Sequence, residues 1–237
     1  MILTDFTEII PSRQLNKLYI LLDIIFLISL LALLLIKKRY VAVLFGIFGG
    51  ILYFAVDYGI FYKVLETRVV SGANPFWFLL WLSMSYGFTN FVWIWLWLDH
   101  DENLLEWSVY IPIGWLAVVL ISANFGAPFG EIAISRGTGS YHGVMALILF
   151  LSYGIVIIHN MVVKDKSEKW PLVWMLLIGI LVQFSWEFIL LITGIRATGF
   201  GPLIVNSLLE TNLGIPIIYL IYIFVTKKIF NKKCNKA

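Results

Sequence analysis

Seven apolar runs, each about the length of one membrane crossing, constrain this chain before any motif does. A bilayer core of about 30 Å takes roughly 20 helical residues, and the runs fall near residues 17–36, 41–63, 74–98, 107–128, 141–163, 170–194 and 201–226. In lipid a backbone N–H or C=O finds partners only in its own chain, so each run is predicted as a helix. The expected fold class is all-α: an integral, multi-pass membrane protein with seven transmembrane helices. Composition agrees, since 61% of residues are apolar and 13% charged, which excludes the soluble globular class. The connections are short and no linker or low-complexity stretch divides the chain. Residues 1–237 therefore read as one transmembrane domain, with an N-terminal external segment, 1–16, and a basic cytoplasmic tail, 227–237.

Basic residues set the orientation. With the N-terminus outside and the C-terminus inside, Lys37, Lys38, Arg39, Lys164, Lys166, Lys169 and the tail lysines face the cytoplasm. Arg13, Lys17, Lys63, Arg68, Arg136 and Arg196, the smaller set, then lie outside. The acidic inner loop Asp99-His100-Asp101-Glu102 runs against this bias. The net charge of +3 comes largely from the tail, so it points to anionic lipid and not to nucleic acid. One cysteine, Cys234, rules out an intramolecular disulfide or a thiolate metal cluster. No cleavable signal is expected, because the first run is of full spanning length.

Internal echoes suggest a duplication. Val56-Asp57-Tyr58-Gly59 in the second run parallels Leu151-Ser152-Tyr153-Gly154 in the fifth; Phe88-Thr89-Asn90-Phe91 in the third parallels Ser185-Trp186-Glu187-Phe188 in the sixth. In the fourth and seventh runs, Asn124-Phe125-Gly126-Ala127-Pro128 parallels Asn212-Leu213-Gly214-Ile215-Pro216. Helices 2–4 and 5–7 thus read as an inverted 3+3 repeat with helix 1 added, because halves with an odd number of spans lie upside down to one another. Proline frees a carbonyl one turn back, so both Asn-x-Gly-x-Pro helices are expected to kink, near Asn124 and Asn212. Gly46 and Gly50 suit close helix contact. The stretch APFGEIAISRGTGSYHG between helices 4 and 5 is expected as an external surface loop, with a flap over a cavity as the alternative.

Polar residues at membrane depth carry the functional signal, because each is costly there. Asp23, Asp57, Glu187 and Glu210 all fall in the outer half of their runs, and no Lys or Arg stands inside a run to neutralise them. A polar pocket opening outward is expected. Asp23, close to a helix end, is expected to be solvated. Gln183 lies one turn before Glu187 on the same helical face, so Glu187 reads as a proton donor or relay, and Asp57, flanked by Tyr53 and Tyr58, as a second acid. Gln183, Glu210, Asn212, Asn124 and Asn90 are the candidate polar contacts, Asn90 by its place in the repeat. Trp77, Trp81, Trp93, Trp95 and Trp97 read as interfacial belts. Trp186, Tyr58, Tyr86 and Phe188 are candidate cavity aromatics, whose faces attract a cation. No Ser-His-Asp order, paired histidines or phosphate loop appears, and the seventh run has no Lys for a retinal Schiff base. Neither a cofactor nor a metal is expected.

Asn160, the loop KDKSEK, Gln183-Phe184-Ser185-Trp186-Glu187 and Asn212-Leu213-Gly214 follow one another in a pattern that resembles the small integral-membrane terpene cyclases of fungal meroterpenoid and indole-diterpene biosynthesis. Those proteins are of similar length, with seven spans. The family has Asn where this chain has Gln183, and an Asp in its last helix where this chain offers Glu210 and Asn212. The resemblance implies a cyclase in which Glu187 starts the reaction by protonating an alkene or epoxide of a hydrophobic, prenyl-type substrate. The alternative of a different class is a small proton-coupled transporter or lipid scramblase built on the inverted repeat.

Overall fold

A computed structural model describes residues 12–136, 141–195 and 200–234. Residues 1–11 of the N-terminal segment, Gly137–Ser140 of the expected loop, Arg196 and the last residues of the tail, 235–237, lie outside the described residues. Eight α-helices follow in order: α1 (Lys17–Ile36), α2 (Tyr40–Phe54), α3 (Pro75–Leu98), α4 (Leu104–Phe125), α5 (His142–Val162), α6 (Leu172–Ile192), α7 (Phe200–Leu209) and α8 (Ile215–Cys234). Helix α2 continues as a π-helical segment over Ala55–Val64. Among the described residues five spans are long and apolar enough to cross a membrane: Lys17–Ile36, Tyr40–Val64, Leu104–Phe125, His142–Val162 and Leu172–Ile192. Two helix starts are fixed by asparagine caps, which take up orphan backbone donors. Asn16 accepts from Tyr19 N at 2.9 Å, and Asn74, followed by Pro75, accepts from Phe76 N at 3.0 Å.

Helix α3 is the axis of the bundle and packs against α1, α2, α4, α6 and α8. Its contact with α2 is intimate because glycines face it. A Cβ on Gly46 would sit 2.5 Å from Val92, and one on Gly87 would sit 2.6 Å from the Gly49 carbonyl oxygen. The expectation of close contact at Gly46 and Gly50 therefore holds, with Gly49 and Gly87 completing the seam. The tryptophans expected as an inner belt are part of this core: Trp93 and Trp95 are buried, and Trp93 donates to Ser108 Oγ at 3.0 Å. The Trp93 indole N–H thus finds its partner inside the protein and not at a headgroup. Trp77 is exposed, as a belt residue should be.

The fold is not purely helical. Strands β1 (Ser12–Asn16), β2 (Arg68–Ser71) and β3 (Glu131–Arg136) form an antiparallel sheet in the order β1-β3-β2. All three strands lie at the end of the bundle where α1 and α3 start and α2 and α4 finish. The segment expected as a plain loop supplies the central strand: Ile132 and Ile134 are buried against the bundle while Glu131 is exposed, the alternation of a half-buried strand. In register, Arg13 stands opposite Ile134 and Leu15 opposite Ile132, and Val70 stands opposite Ile134 from the other side. Arg13, Leu15 and Val70 thus share the inward face of the sheet with Arg68, two residues from Val70 on the same strand.

The seventh predicted helix is two helices. Residues 210–214 break it, and the turn packs so tightly on α6 that a Cβ on Gly179 would meet Asn212 Oδ1. Asn212 is buried and accepts from Tyr153 Oη at 3.1 Å, which ties the break to α5. Its counterpart Asn124 has a different setting. Helix α4 ends one residue later, at Phe125, with Pro128 in a short 3-10 turn beyond it. Asn124 is exposed and its Nδ2 bonds back to Leu120 O at 2.8 Å. So one motif breaks a helix in the interior and the other terminates a helix. At the end of the bundle away from the sheet, Arg39 forms ion pairs with Asp101 and Glu102, which offsets part of the negative charge of the loop that had opposed the charge bias. Asn160 clasps Trp170 there in both directions, each bond 2.8 Å.

Candidate functional site

Beneath the sheet lies a cavity of about 330 Å³, within the size range of small-molecule sites, about 300–1,000 Å³. Leu52, Val56, Leu82, Phe91, Ile94 and Ile218 make most of its wall apolar. The polar part has four sources. Arg13 and Arg68 enter from the sheet, Asp57 from the π-helical segment, and Ser83, Tyr86, Glu210 and Thr211 from α3 and the α7–α8 break. Helix α2 is drawn wider by its π turns, a local change common at functional sites, and this segment carries both Asp57 and Phe61 to the cavity.

Gln183 ties the second wall together. On α6 the buried positions Met175, Ile178, Gly179, Val182, Gln183, Trp186, Glu187 and Leu190 recur at helical spacing, so Gln183 and Glu187 both face the bundle interior. Gln183 Nε2 lies 2.9 Å from Glu210 Oε2, 3.0 Å from Tyr86 Oη and 3.3 Å from Glu187 Oε1. Gln183 Oε1 accepts from Thr211 Oγ1 at 2.7 Å. Asn206 Nδ2 donates to Glu187 Oε1 at 3.3 Å. Two carboxyl groups, Glu187 and Glu210, are therefore separated by a single amide nitrogen. Glu210 lines the cavity and Glu187, only 2% exposed, stands behind it.

The expectation that no cation answers the buried acids does not hold. Arg68, four residues beyond the end of the π-helical segment, folds back and meets Asp57 Oδ1 through Nη2 at 2.9 Å and Nε at 3.2 Å, with its guanidinium 4.4 Å from the Phe61 ring. Loops add what the spans lack. Asp23 is not solvated either: it is buried and accepts from Trp81 Nε1 at 3.0 Å, so Trp81 serves the interior. Depth alone places a residue near a helix end; its facing toward α3 decides that it is enclosed.

The structure gathers Asp57, Tyr86 and Glu210 at the cavity, with Gln183 and Glu187 in the layer behind. Trp186 packs in that layer too, edge-on to Tyr86 at 5.1 Å and to Trp115 at 4.9 Å. Asn212 supports the α7–α8 break from the side of α5. Asn90 is fully buried in α3, and among the described residues neither of its amide atoms has a hydrogen-bond partner. Tyr58 stacks between Phe54 and Tyr62 outside the cavity wall, Phe188 is exposed, and Asn124 is remote from the cluster for the reason given above. Arg13, Arg68, Ser83, Thr211 and Asn206 were missed. The β-branched pairs Val69-Val70 and Ile132-Ile134, in stretches bounded by Gly72 and Gly130, are the signal that could have suggested strands there, although neither stretch alternates in sequence. Comparison with protein families, with characterised proteins and with solved structures finds no match.

Proposed function

We propose that this chain is a membrane-embedded cyclase that protonates a prenyl-type substrate inside the cavity. The observation that carries the reading is the position of Glu210, a carboxyl group in the wall of a mostly apolar chamber, backed by Gln183 and Glu187. Gln183 Nε2 occupies one oxygen of Glu210 as donor, so the transferable proton rides on the other. That proton adds to a terminal alkene carbon or an epoxide oxygen, and the resulting tertiary cation is attacked by the next double bond of the same chain. Loss of a proton from the cyclised cation to the Glu210 carboxylate restores the acid, so the net change is an isomerisation. The apolar wall excludes water that would quench the cation, and the faces of Tyr53, Tyr86, Phe61 and Phe91 around the chamber suit a positive charge.

On this reading the role that the terpene-cyclase resemblance gives to Glu187 divides in two: Glu210 meets substrate, and Glu187 positions Gln183. Asp57, paired to Arg68, shapes the cavity and does not supply the proton. The broader arrangement proposed is seven crossings with the N-terminus outside and helices 2–4 and 5–7 as an inverted repeat. Incubating purified protein with prenylated alkenes and epoxides and analysing products by mass spectrometry tests it. Cyclised isomers are expected from wild type and not from Glu210→Gln; no product from any prenyl substrate would end the proposal.

One observation favours a second reading. Helix breaks that line a polar site inside a membrane are a hallmark of secondary transporters, and the α7–α8 break lines this cavity. A transporter or scramblase would move lipid or solute across liposomes in a manner sensitive to a proton gradient, with no change in the compound moved.

A further inference from the structure

We infer that the cavity opens sideways to the bilayer, through a window between α2 on one side and α5 and α8 on the other, and receives there the hydrocarbon chain of a membrane-resident amphiphile. The inference stands on where the lining residues reach the surface and is independent of the proton chemistry given to Glu210. At the sheet end the cavity is shut: Arg13 is 4% and Arg68 3% exposed, and Ile132 and Ile134 of the central strand are buried. Leu82, Phe91 and Ile94 of α3 are buried in the wall as well. Leu52 of α2 is the one exposed residue among those that line the cavity, at 42%, and Val56, Met145 and Leu213 are half-buried. A single side chain on α2 therefore touches both the cavity and the lateral surface of the bundle.

Aromatic contacts frame this opening at both ends. Toward the sheet, Phe61 of the π-helical segment meets Tyr141, the residue before α5, with ring centroids 5.7 Å apart, and Met145 follows one turn later. Away from the sheet, Trp95 of α3 touches Phe45 of α2 at 4.9 Å and Tyr222 of α8 at 5.2 Å, and Ile218 lies one turn before Tyr222. Between the two closures α2 carries Leu52 and packs on α1 and α3, whereas α5 packs on α6, α7 and α8. The two helices thus take their packing from opposite sides. Their outer surfaces are apolar, with Phe48 and Ile51 of α2 and Leu147 and Leu151 of α5 exposed, and in a bilayer such surfaces stand against hydrocarbon. A ligand suited to a mostly apolar wall dissolves in the bilayer before it meets protein. Entry from lipid keeps it out of water throughout, while entry through the sheet would take it past two buried arginines.

Photo-crosslinking in nanodiscs tests the route with two probes: a diazirine-bearing analogue of farnesol dissolved in the lipid, and a sulfonated diazirine that stays in water. Labelled positions are read by peptide mass spectrometry after illumination. In wild type the membrane probe is expected to label the buried wall of α3 at Leu82, Phe91 or Ile94, and the water-borne probe is not. Leu52→Trp and Met145→Trp each set a large ring at the opening, at positions that are not fully buried. Each should lose most of the labelling on α3 and keep that of Leu147 and Leu151 on the outer surface, with circular dichroism confirming that the variants are folded. Labelling of the α3 wall by the water-borne probe, its absence with the membrane probe in wild type, or its survival in both folded variants overturns the inference. Failure of the window and failure of the cyclase are separable. Labelling as expected without turnover of any prenyl substrate leaves the window standing and removes the cyclase, and turnover with labelling that survives both substitutions does the reverse.

Discussion

Gln183 has two amide hydrogens and three acceptors within 3.3 Å, on Tyr86, Glu187 and Glu210, so it is the residue on which the site's order depends. Gln183→Leu would strand several buried polar groups together, each worth about 1–3 kcal/mol, and the variant is expected to lose at least about 2 kcal/mol against denaturant in detergent. A Gln183→Leu protein as stable as wild type would show the network to be incidental. The Asp57–Arg68 pair gives a second test. Arg68→Met removes a fully buried guanidinium from beside Asp57 and should cost about 3–5 kcal/mol, while the double replacement Asp57→Leu with Arg68→Met should recover most of that loss. Part of this was legible: the i, i+4 spacing of Gln183 and Glu187 on an oily helix announces an inward polar face. Arg13 and Arg68 were not, because the pairings that bring them under one sheet span most of the first half of the chain and follow from strand register, which spacing along a helix does not reveal.

At the scale of elements, the α2–α3 seam and the α5 surface make opposite predictions for the same change. A Cβ on Gly87 would press on the backbone of Gly49 and Gly50 at 2.6 and 2.7 Å, which no rotamer can relieve, whereas one on Gly154 in α5 would meet nothing within 4 Å. Gly87→Ala is expected to cost about 1–3 kcal/mol; Gly154→Ala should be neutral or slightly stabilising, since alanine is the better helix former. Equal effects of the two in the same denaturation assay would contradict the packing described here. Hydropathy located α1 to α6 well because burial in lipid and burial in protein call for the same residues. For the same reason it misassigned Trp93 and Trp95, which are apolar enough for an interface and are used in the core. The break at 210–214 was signalled by Gly214 and Pro216, but its depth of insertion depends on Gly179, a residue on another helix.

For the whole molecule, the orientation is open to direct measurement with the chain's own chemistry. Cys234 is its one cysteine, and with the C-terminus in the cytoplasm an impermeant maleimide should label it only after the membrane is opened. In a Cys234→Ser background, Val69→Cys, exposed on the outer face of β2, should be labelled in intact cells. The reverse pattern would invert the topology. The whole-molecule design is a bundle with a mostly apolar cavity beneath a small sheet, with the Glu210 carboxyl group in its wall beside the paired Asp57 and Arg68. If that carboxyl starts a cyclisation, the proton it regains from each cyclised cation exchanges with solvent before the next turnover, and the proton it then delivers ends on carbon. The decisive measurement is therefore turnover of a prenyl alkene in deuterium oxide with the product read by mass spectrometry: a cyclised product carrying solvent-derived deuterium on carbon from wild type, and no such product from Glu210→Gln, is the expected result. Cyclised product without deuterium, or undiminished turnover by Glu210→Gln, would contradict it.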